Sequence, residues 1–100
     1  MINFDDDLIE KLRNKKFASL YIMSSIADND LGFLPIALGD VARAFGISKL
    51  SKKTGINRRT LYKVFDDSGN PSFELVCKII SALGLNLKIL PKSAKSRKTT

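Results

Sequence analysis

The twenty residues from 47 to 66 constrain the fold of this chain more than any other stretch. Their apolar positions are spaced as in two short helices that cross at a steep angle, in the run ISKLSKKTGINRRTLYKVFD. Gly55 lies where the first helix must end, because only glycine takes a left-handed conformation there without steric cost. Asn57 follows as the cap of the next helix. The pattern predicts a helix-turn-helix whose second helix presents four side chains outward: Arg58, Arg59, Tyr62 and Lys63.

Positive charge is concentrated on this predicted helix-turn-helix. The chain has a net charge of +7. Residues 49–63 hold six basic side chains and no acidic one, whereas residues 1–10 hold four acidic side chains and no basic one. Because neutralising DNA phosphates releases counterions, a basic stripe over a two-helix motif gives affinity for nucleic acid. A solvated helix face is the alternative interpretation, but the coincidence of charge and turn motif favours nucleic acid.

Composition argues against several other classes of protein. The 100 residues suit one domain with a modest core, and no apolar run approaches the roughly 20 residues of a membrane span. The acidic start is unlike a signal peptide, so we expect a cytoplasmic protein without membrane contact. The chain has no histidine, and its single cysteine, Cys77, is interpreted as a buried thiol on an apolar helix face. We expect no catalytic residue, no metal site and no cofactor.

The rest of the chain is predicted to be mainly helical. Helices are expected over four further stretches: residues 5–14, 17–27, 31–45 and 72–83. Gly46 and Gly84 should end two of these helices, while Ser48 can cap the first helix of the motif. Asn70 or Ser72 can cap the last helix. We divide the chain into an N-terminal helical extension (1–30), a helix-turn-helix domain with a terminal strand (31–90) and a basic disordered tail (91–100).

Residues 17–27 carry apolar side chains on two sides of one helix. We interpret one stripe as core: Phe17, Leu20, Tyr21, Ser24 and Ala27. A second, nearly opposite stripe comprises Ala18, Ile22 and Ile26. A helix with two apolar sides must bury both. The second stripe therefore faces either another helix of this chain or a partner molecule, and the sequence leaves both alternatives open.

Residues 85–90 have the period of a β-strand. Leu85, Leu87 and Ile89 recur at every second position, and Pro91 ends the run. A lone strand has unpaired backbone groups, so it must pair with a strand near the N-terminus or with the same strand of a second subunit. These three residues are the candidates for a homodimer contact.

A family resemblance covers almost the whole chain. It is carried by four motifs in combination, ALGDVARA, the RRTLYK helix, GNPSF and the closing ALGLNL, together with FDDDLIE near the start. In this combination the chain resembles the probable addiction-module antidote proteins, a HigA-like antitoxin group with a lambda-repressor-type helix-turn-helix. Arg59 departs from the family pattern, which commonly has an acidic residue there, and makes the second helix of the motif more basic.

The resemblance implies an all-α fold of five to six helices of the lambda-repressor type, to which the sequence pattern adds a short C-terminal β-strand. It also implies an antitoxin of a type II toxin-antitoxin module that neutralises a RelE/ParE-like toxin of the HigB kind. Such a protein represses its own operon by binding double-stranded operator DNA, with Arg58 and Arg59 ranked first because arginine can bond two acceptors of guanine at once. The positions carried over to DNA contact are Ser48, Lys49, Lys53, Asn57, Arg58, Arg59, Tyr62, Lys63 and Asn70.

The toxin is expected to contact the acidic segment and the second apolar stripe: Asp5, Asp6, Asp7, Ala18, Ile22 and Ile26. An acidic, partly apolar surface suits a toxin that binds RNA and is therefore basic. One alternative function is a stand-alone or phage-type repressor without a toxin, which the genes beside this one would distinguish. Another is a protein-interaction module with a vestigial motif, against which the retained basic side chains argue.

Overall fold

A computed structural model describes residues 3–27, 31–66 and 70–92 of the chain. These residues form six α-helices and no β-strand, and a short 3-10 turn at Leu31–Phe33 precedes the third helix. The helices are α1 (Asn3–Leu12), α2 (Lys15–Ala27), α3 (Leu34–Phe45), α4 (Ile47–Thr54), α5 (Arg58–Val64) and α6 (Phe73–Ala82). The all-helical prediction is confirmed for this part of the chain. Most of the predicted basic tail lies outside the described residues.

Helix α3 is the central element, because α1, α2, α4 and α5 all pack against it. Pro35 lies in its first turn, where the missing amide has no helical partner to lose. Gly39 brings α3 close to the end of α5: a Cβ atom at this position would lie 2.7 Å from Cβ of Phe65. Gly46 ends the helix with φ +115°, as the sequence predicts.

One hydrophobic core joins the N-terminal helices to the rest of the chain. Leu12 and Ile22 belong to the same buried cluster as Leu50, Leu61 and Ile79. The first two helices therefore share their core with the predicted helix-turn-helix domain. Within the described ranges, every helix is too short or too polar to span a bilayer.

Helix α2 buries a different side from the one that we predicted. Ala18 and Ile22 are buried, whereas 51% of Leu20 and 54% of Met23 are exposed. The prediction that Phe17 and Leu20 face the core is wrong, and so is the alternative that Ala18 and Ile22 face a partner. The physical reason is that apolar side chains occur around the whole circumference of α2, so its own periodicity does not indicate which side meets α3.

A polar contact fixes α2 against α3. The Tyr21 hydroxyl donates to Oδ2 of Asp40 over 2.7 Å, and Nη2 of Arg43 donates to Oδ1 of the same carboxylate over 2.6 Å. Asp40 is buried, so both of its oxygens have partners. Burial, followed by the hydrogen bond to Asp40, raises the pKa of Tyr21 far above its ordinary value.

The C-terminal segment leaves the helical core at Gly84. This residue adopts φ +85° directly after α6, and its amide donates to the carbonyl of Ser81 over 3.0 Å. Residues 85–92 then have no regular secondary structure, so the predicted strand does not form within the described part of a single chain. The reason is that no other strand exists among the described residues to pair with this segment.

Candidate nucleic-acid interface

The turn between α4 and α5 is fixed by hydrogen bonds of two small hydroxyl residues. Gly55 has φ +78° and ends α4 as predicted. Ser51 donates its hydroxyl to the carbonyl of Ile56 over 2.6 Å. Thr54 donates to the carbonyl of Leu50 over 2.9 Å and accepts from the amide of Ile56 over 3.1 Å. These bonds give Ser51 and Thr54 a direct part in setting the angle between the helices.

Helix α5 begins at the cap that the sequence predicts. The side chain of Asn57 accepts from the amide of Thr60 over 2.9 Å. Leu61 and Val64 are buried, which turns the remaining side chains of α5 toward solvent. Tyr62 is 56% exposed. A shallow, open depression on this side of α5 is lined by Arg58, Arg59, Tyr62, Lys63 and Asp66.

Ser48 and Arg58 link the two helices across the outer side of the turn. Nη1 of Arg58 donates to the Ser48 hydroxyl over 3.1 Å. Ser48 does not cap α4, because the helix begins at Ile47 and Gly46 occupies the cap position without a side chain. The predicted capping role of Ser48 is therefore wrong, while its place beside the basic helix is consistent with a contact surface. Arginine has five N–H donors, so Arg58 keeps donors for other partners.

Two lysines of α4 lie over one aromatic ring. Nζ of Lys49 is 4.7 Å from the centre of the Phe45 ring, and Nζ of Lys53 is 5.8 Å from it. Among the described residues neither lysine forms a salt bridge, so both ammonium groups are available to an anion. Phe45 is half-buried at the end of α3 and packs against the core. The sequence spacing gives no signal for the contact of its ring with the lysines, because Phe45 ends α3 and both lysines lie on α4, beyond the break at Gly46.

Asn70 does not lie on α4 or α5 with the other predicted DNA contacts. It is exposed and precedes Ser72, whose hydroxyl accepts from the amide of Leu75 over 3.1 Å and caps α6. Residues 67–69 lie outside the described chain. Eight of the nine predicted DNA contacts therefore lie on α4, on α5 or in the turn between them. Asn70 lies in the segment that precedes α6.

The residues predicted to contact a toxin do not form one surface. Asp6 and Asp7 are exposed on α1, and Asp7 pairs with Lys11 over 3.5 Å. The side chain of Asp5 lies outside the described part of the structure. Ala18 and Ile22 are in the core, and Ile26 is partly exposed. Of the residues predicted for a dimer contact, Leu85 is half-buried, whereas Leu87 and Ile89 are exposed.

Comparison with known proteins places this arrangement in a family. The sequence profile of the family described as "Probable addiction module antidote protein" matches residues 2–91. The chain belongs to this antidote family. A relative from Haemophilus influenzae, described as an uncharacterized protein, is 34% identical over 85 residues, which cover 85% of this chain and 88% of the relative. No solved structure matches the chain.

Membership confirms the predicted family in its broad sense. An addiction module antidote acts as an antitoxin, so the family indicates an antitoxin role and a toxin partner for this chain. The matched range begins one residue before α1 and extends beyond α6. The family match therefore covers the segments of α4 and α5 as well as those of the N-terminal helices.

Proposed function

We propose that this chain is the antitoxin of a type II toxin-antitoxin module that represses its own operon by binding operator DNA through α4 and α5. The observation that carries the DNA-binding part is the convergence, on these two helices, of basic side chains that form no salt bridge within the described part of the chain. Lys49 and Lys53 lie together on Phe45, and Arg59 and Lys63 line the depression on α5. A phosphate backbone is the anion that matches such a row of positive charges.

The proposed division of labour follows from the chemistry of each side chain. Arg58 and Arg59 lie at the start of α5 and carry the planar fork that recognises guanine in the major groove. The two lysines of α4 are compact charges that suit phosphate oxygens and fix the position of the protein on the duplex. Tyr62 and Lys63 extend the same surface along α5.

The proposed toxin is a small RelE/ParE-like protein of the HigB kind. The support for a toxin is the antidote family, and the support for this class of toxin is the resemblance carried by the sequence motifs. Co-purification from the native operon tests this part directly. A small protein that elutes with the chain and loses its toxicity on binding supports the proposal, whereas a chain that elutes alone favours the stand-alone repressor.

Operator binding by two copies is part of the proposal. Two recognition helices one duplex turn apart, about 34 Å, require a palindromic site. Residues 85–90 are proposed to pair with their copies as antiparallel strands, which satisfies both chains identically. Replacing Leu87 with Pro removes a donor from this pairing and should weaken operator binding.

Gel-shift titration tests the DNA-binding part. The probe is the duplex immediately upstream of the chain's own gene, and the matched control is the same duplex with its bases shuffled. We expect binding to the natural duplex that survives an excess of shuffled competitor and weakens steeply with salt. Equal affinity for both duplexes would reduce the proposal to nonspecific binding, and no shift at all would refute it.

A further inference from the structure

The guanidinium group of Arg58 is tied to the neighbouring helix. Its Nη1 donates to the Ser48 hydroxyl over 3.1 Å, and this bond joins the first residue of α5 to the first turn of α4. Both side chains are exposed, and Arg58 also lines the depression on α5. An arginine side chain at a surface has many rotamers, and this bond selects those that hold the guanidinium beside α4.

The two helices that carry this bond are fixed relative to each other. Leu50 of α4 and Leu61 of α5 are fully buried in the same core. The Ser51 hydroxyl donates to the carbonyl of Ile56 over 2.6 Å and holds the turn between the helices. Because the backbone at both ends is already fixed, the bond from Arg58 restricts its own side chain. It therefore places the guanidinium before any ligand arrives.

Arg59 provides a comparison within the same surface. It follows Arg58 directly, is also exposed and lines the same depression. Within the described ranges, no hydrogen bond or salt bridge holds its side chain. Arg59 must lose rotamer freedom when it binds, whereas Arg58 has lost part of it in the free protein. Two adjacent arginines of identical chemistry thus differ in how narrowly they are positioned.

The bonded pair presents only hydrogen-bond donors to a ligand. The Ser48 oxygen accepts from Arg58, which leaves the hydroxyl proton free to donate, and the guanidinium keeps its other N–H groups. In the major groove guanine offers two acceptors, N7 and O6, whereas adenine offers one acceptor and one donor. A guanidinium that is held in one place accepts the first pattern and rejects the second. A mobile arginine can turn to a nearby phosphate instead.

We propose that Ser48 is a positioning residue that holds Arg58 for guanine and thereby sets the base specificity of the α4–α5 surface, the basic side of these two helices. This role differs from a phosphate contact, which would raise the affinity for every duplex alike. The inference rests on the proposed operator binding and deepens it, because it assigns specificity to a hydroxyl group that acts through Arg58.

Fluorescence anisotropy with a set of duplexes tests the inference. Each duplex is the natural upstream sequence with one base pair replaced, and Arg58→Ala identifies the base pair at which discrimination depends on Arg58. Ser48→Ala should lower discrimination at that same base pair by about 3- to 10-fold, the effect of one hydrogen bond, and leave the other positions unchanged. Ser48→Thr keeps the hydroxyl and should discriminate as wild type does. Ser81→Ala, at an exposed serine of α6, is the matched control.

Combined variants show whether Ser48 acts through Arg58. Arg58→Lys keeps the charge and removes the planar fork, so Ser48→Ala should cause no further loss of discrimination in that background. In the background of Arg59→Lys, Ser48→Ala should keep its full effect. Equal weakening of every duplex by Ser48→Ala would overturn the inference, since it would show a phosphate contact. Unchanged discrimination would overturn it as well.

Nuclear magnetic resonance relaxation of the free protein tests the positioning without DNA. The Nε–H group of Arg58 should be more ordered than that of Arg59, and Ser48→Ala should reduce its order to the level of Arg59. Equal order in the two arginines of wild type would overturn the inference. A wild-type chain that binds no duplex specifically would refute the proposed function. Specific binding that is insensitive to Ser48→Ala would refute this inference alone.

Discussion

The α4–α5 surface and the outer side of α2 are both exposed, but water solvates them to different degrees. The first presents charged side chains on helices whose turn is fixed by Ser51, Thr54 and Gly55. The second presents Leu20 and Met23 on a helix without charge between 17 and 27. Water solvates charge readily and apolar area poorly. The basic surface is therefore well solvated in a single chain. Covering the exposed apolar side of α2 would lower its free energy.

Helix α3 connects the two regions. It packs against α4 and α5 on the basic side and holds α2 through Tyr21 and Asp40. The comparison predicts that substitutions on the exposed side of α5 change DNA affinity alone, while substitutions on the buried side of α2 change stability.

The largest expected effect is on DNA binding by the paired arginines of α5. Replacing Arg58 and Arg59 together with Ala should weaken operator binding by roughly 2 to 6 kcal/mol, because each arginine that reads a base contributes about 1 to 3 kcal/mol. Fluorescence anisotropy with the upstream duplex measures the change. Arg13→Ala is the matched control, since Arg13 is an exposed arginine paired with Glu10 near the start of α2. Equal loss in both variants would show that net charge alone drives binding.

The next largest effect separates the two sides of α2. Ile22→Ala should lower the free energy of unfolding by about 2 to 5 kcal/mol, because it leaves a cavity in the core. Leu20→Ala should change it by less than about 0.5 kcal/mol when the protein is dilute enough to be monomeric. Urea titration followed by circular dichroism measures both variants. Similar losses for the two would mean that both sides of α2 are buried within one chain.

A smaller effect concerns the contact between α2 and α3. Tyr21→Phe should cost about 1 to 3 kcal/mol, because Asp40 loses one donor to its buried carboxylate. The raised pKa of Tyr21 adds a dependence on pH: its stabilising contribution is full below about pH 10, where an unfolded chain keeps the phenol protonated, and declines at higher pH. Urea titrations at several pH values should show that the difference in free energy of unfolding between wild type and Tyr21→Phe narrows above about pH 10. A difference that stays constant with pH would contradict the assigned hydrogen bond.

The smallest effect concerns the ring beneath the two lysines. Phe45→Leu should reduce DNA affinity by about 0.5 to 1 kcal/mol, since it removes the face that holds Lys49 and Lys53 in position. Phe45→Tyr keeps the ring and should bind as wild type does. In a variant that lacks both Lys49 and Lys53, Phe45→Leu should no longer change the DNA affinity. If Phe45→Leu binds as tightly as wild type, the lysines merely cover apolar surface.

The sequence by itself determined the features that depend on neighbouring residues. Gly46 and Gly55 end α3 and α4, and Asn57 caps α5, because each of these bonds closes within a few residues. For the cap of α6 the sequence left Asn70 and Ser72 as alternatives, and the structure shows Ser72. The exposed side of α5 follows from Leu61 and Val64 in the same way. The motifs together also indicated the antidote family that the sequence profile matches.

The tertiary structure decided every feature that depends on which elements meet. Ile22 of α2 faces inward and Leu20 faces outward. The sequence could not predict this, because apolar side chains occur around the whole circumference of α2. The tertiary structure also joined Arg58 to Ser48 across two helices. Residues 85–90 have the alternation of a strand, yet a strand forms only where another backbone lies alongside. Local bonds are determined by adjacent residues, whereas burial and strand pairing require a partner that only the folded arrangement supplies.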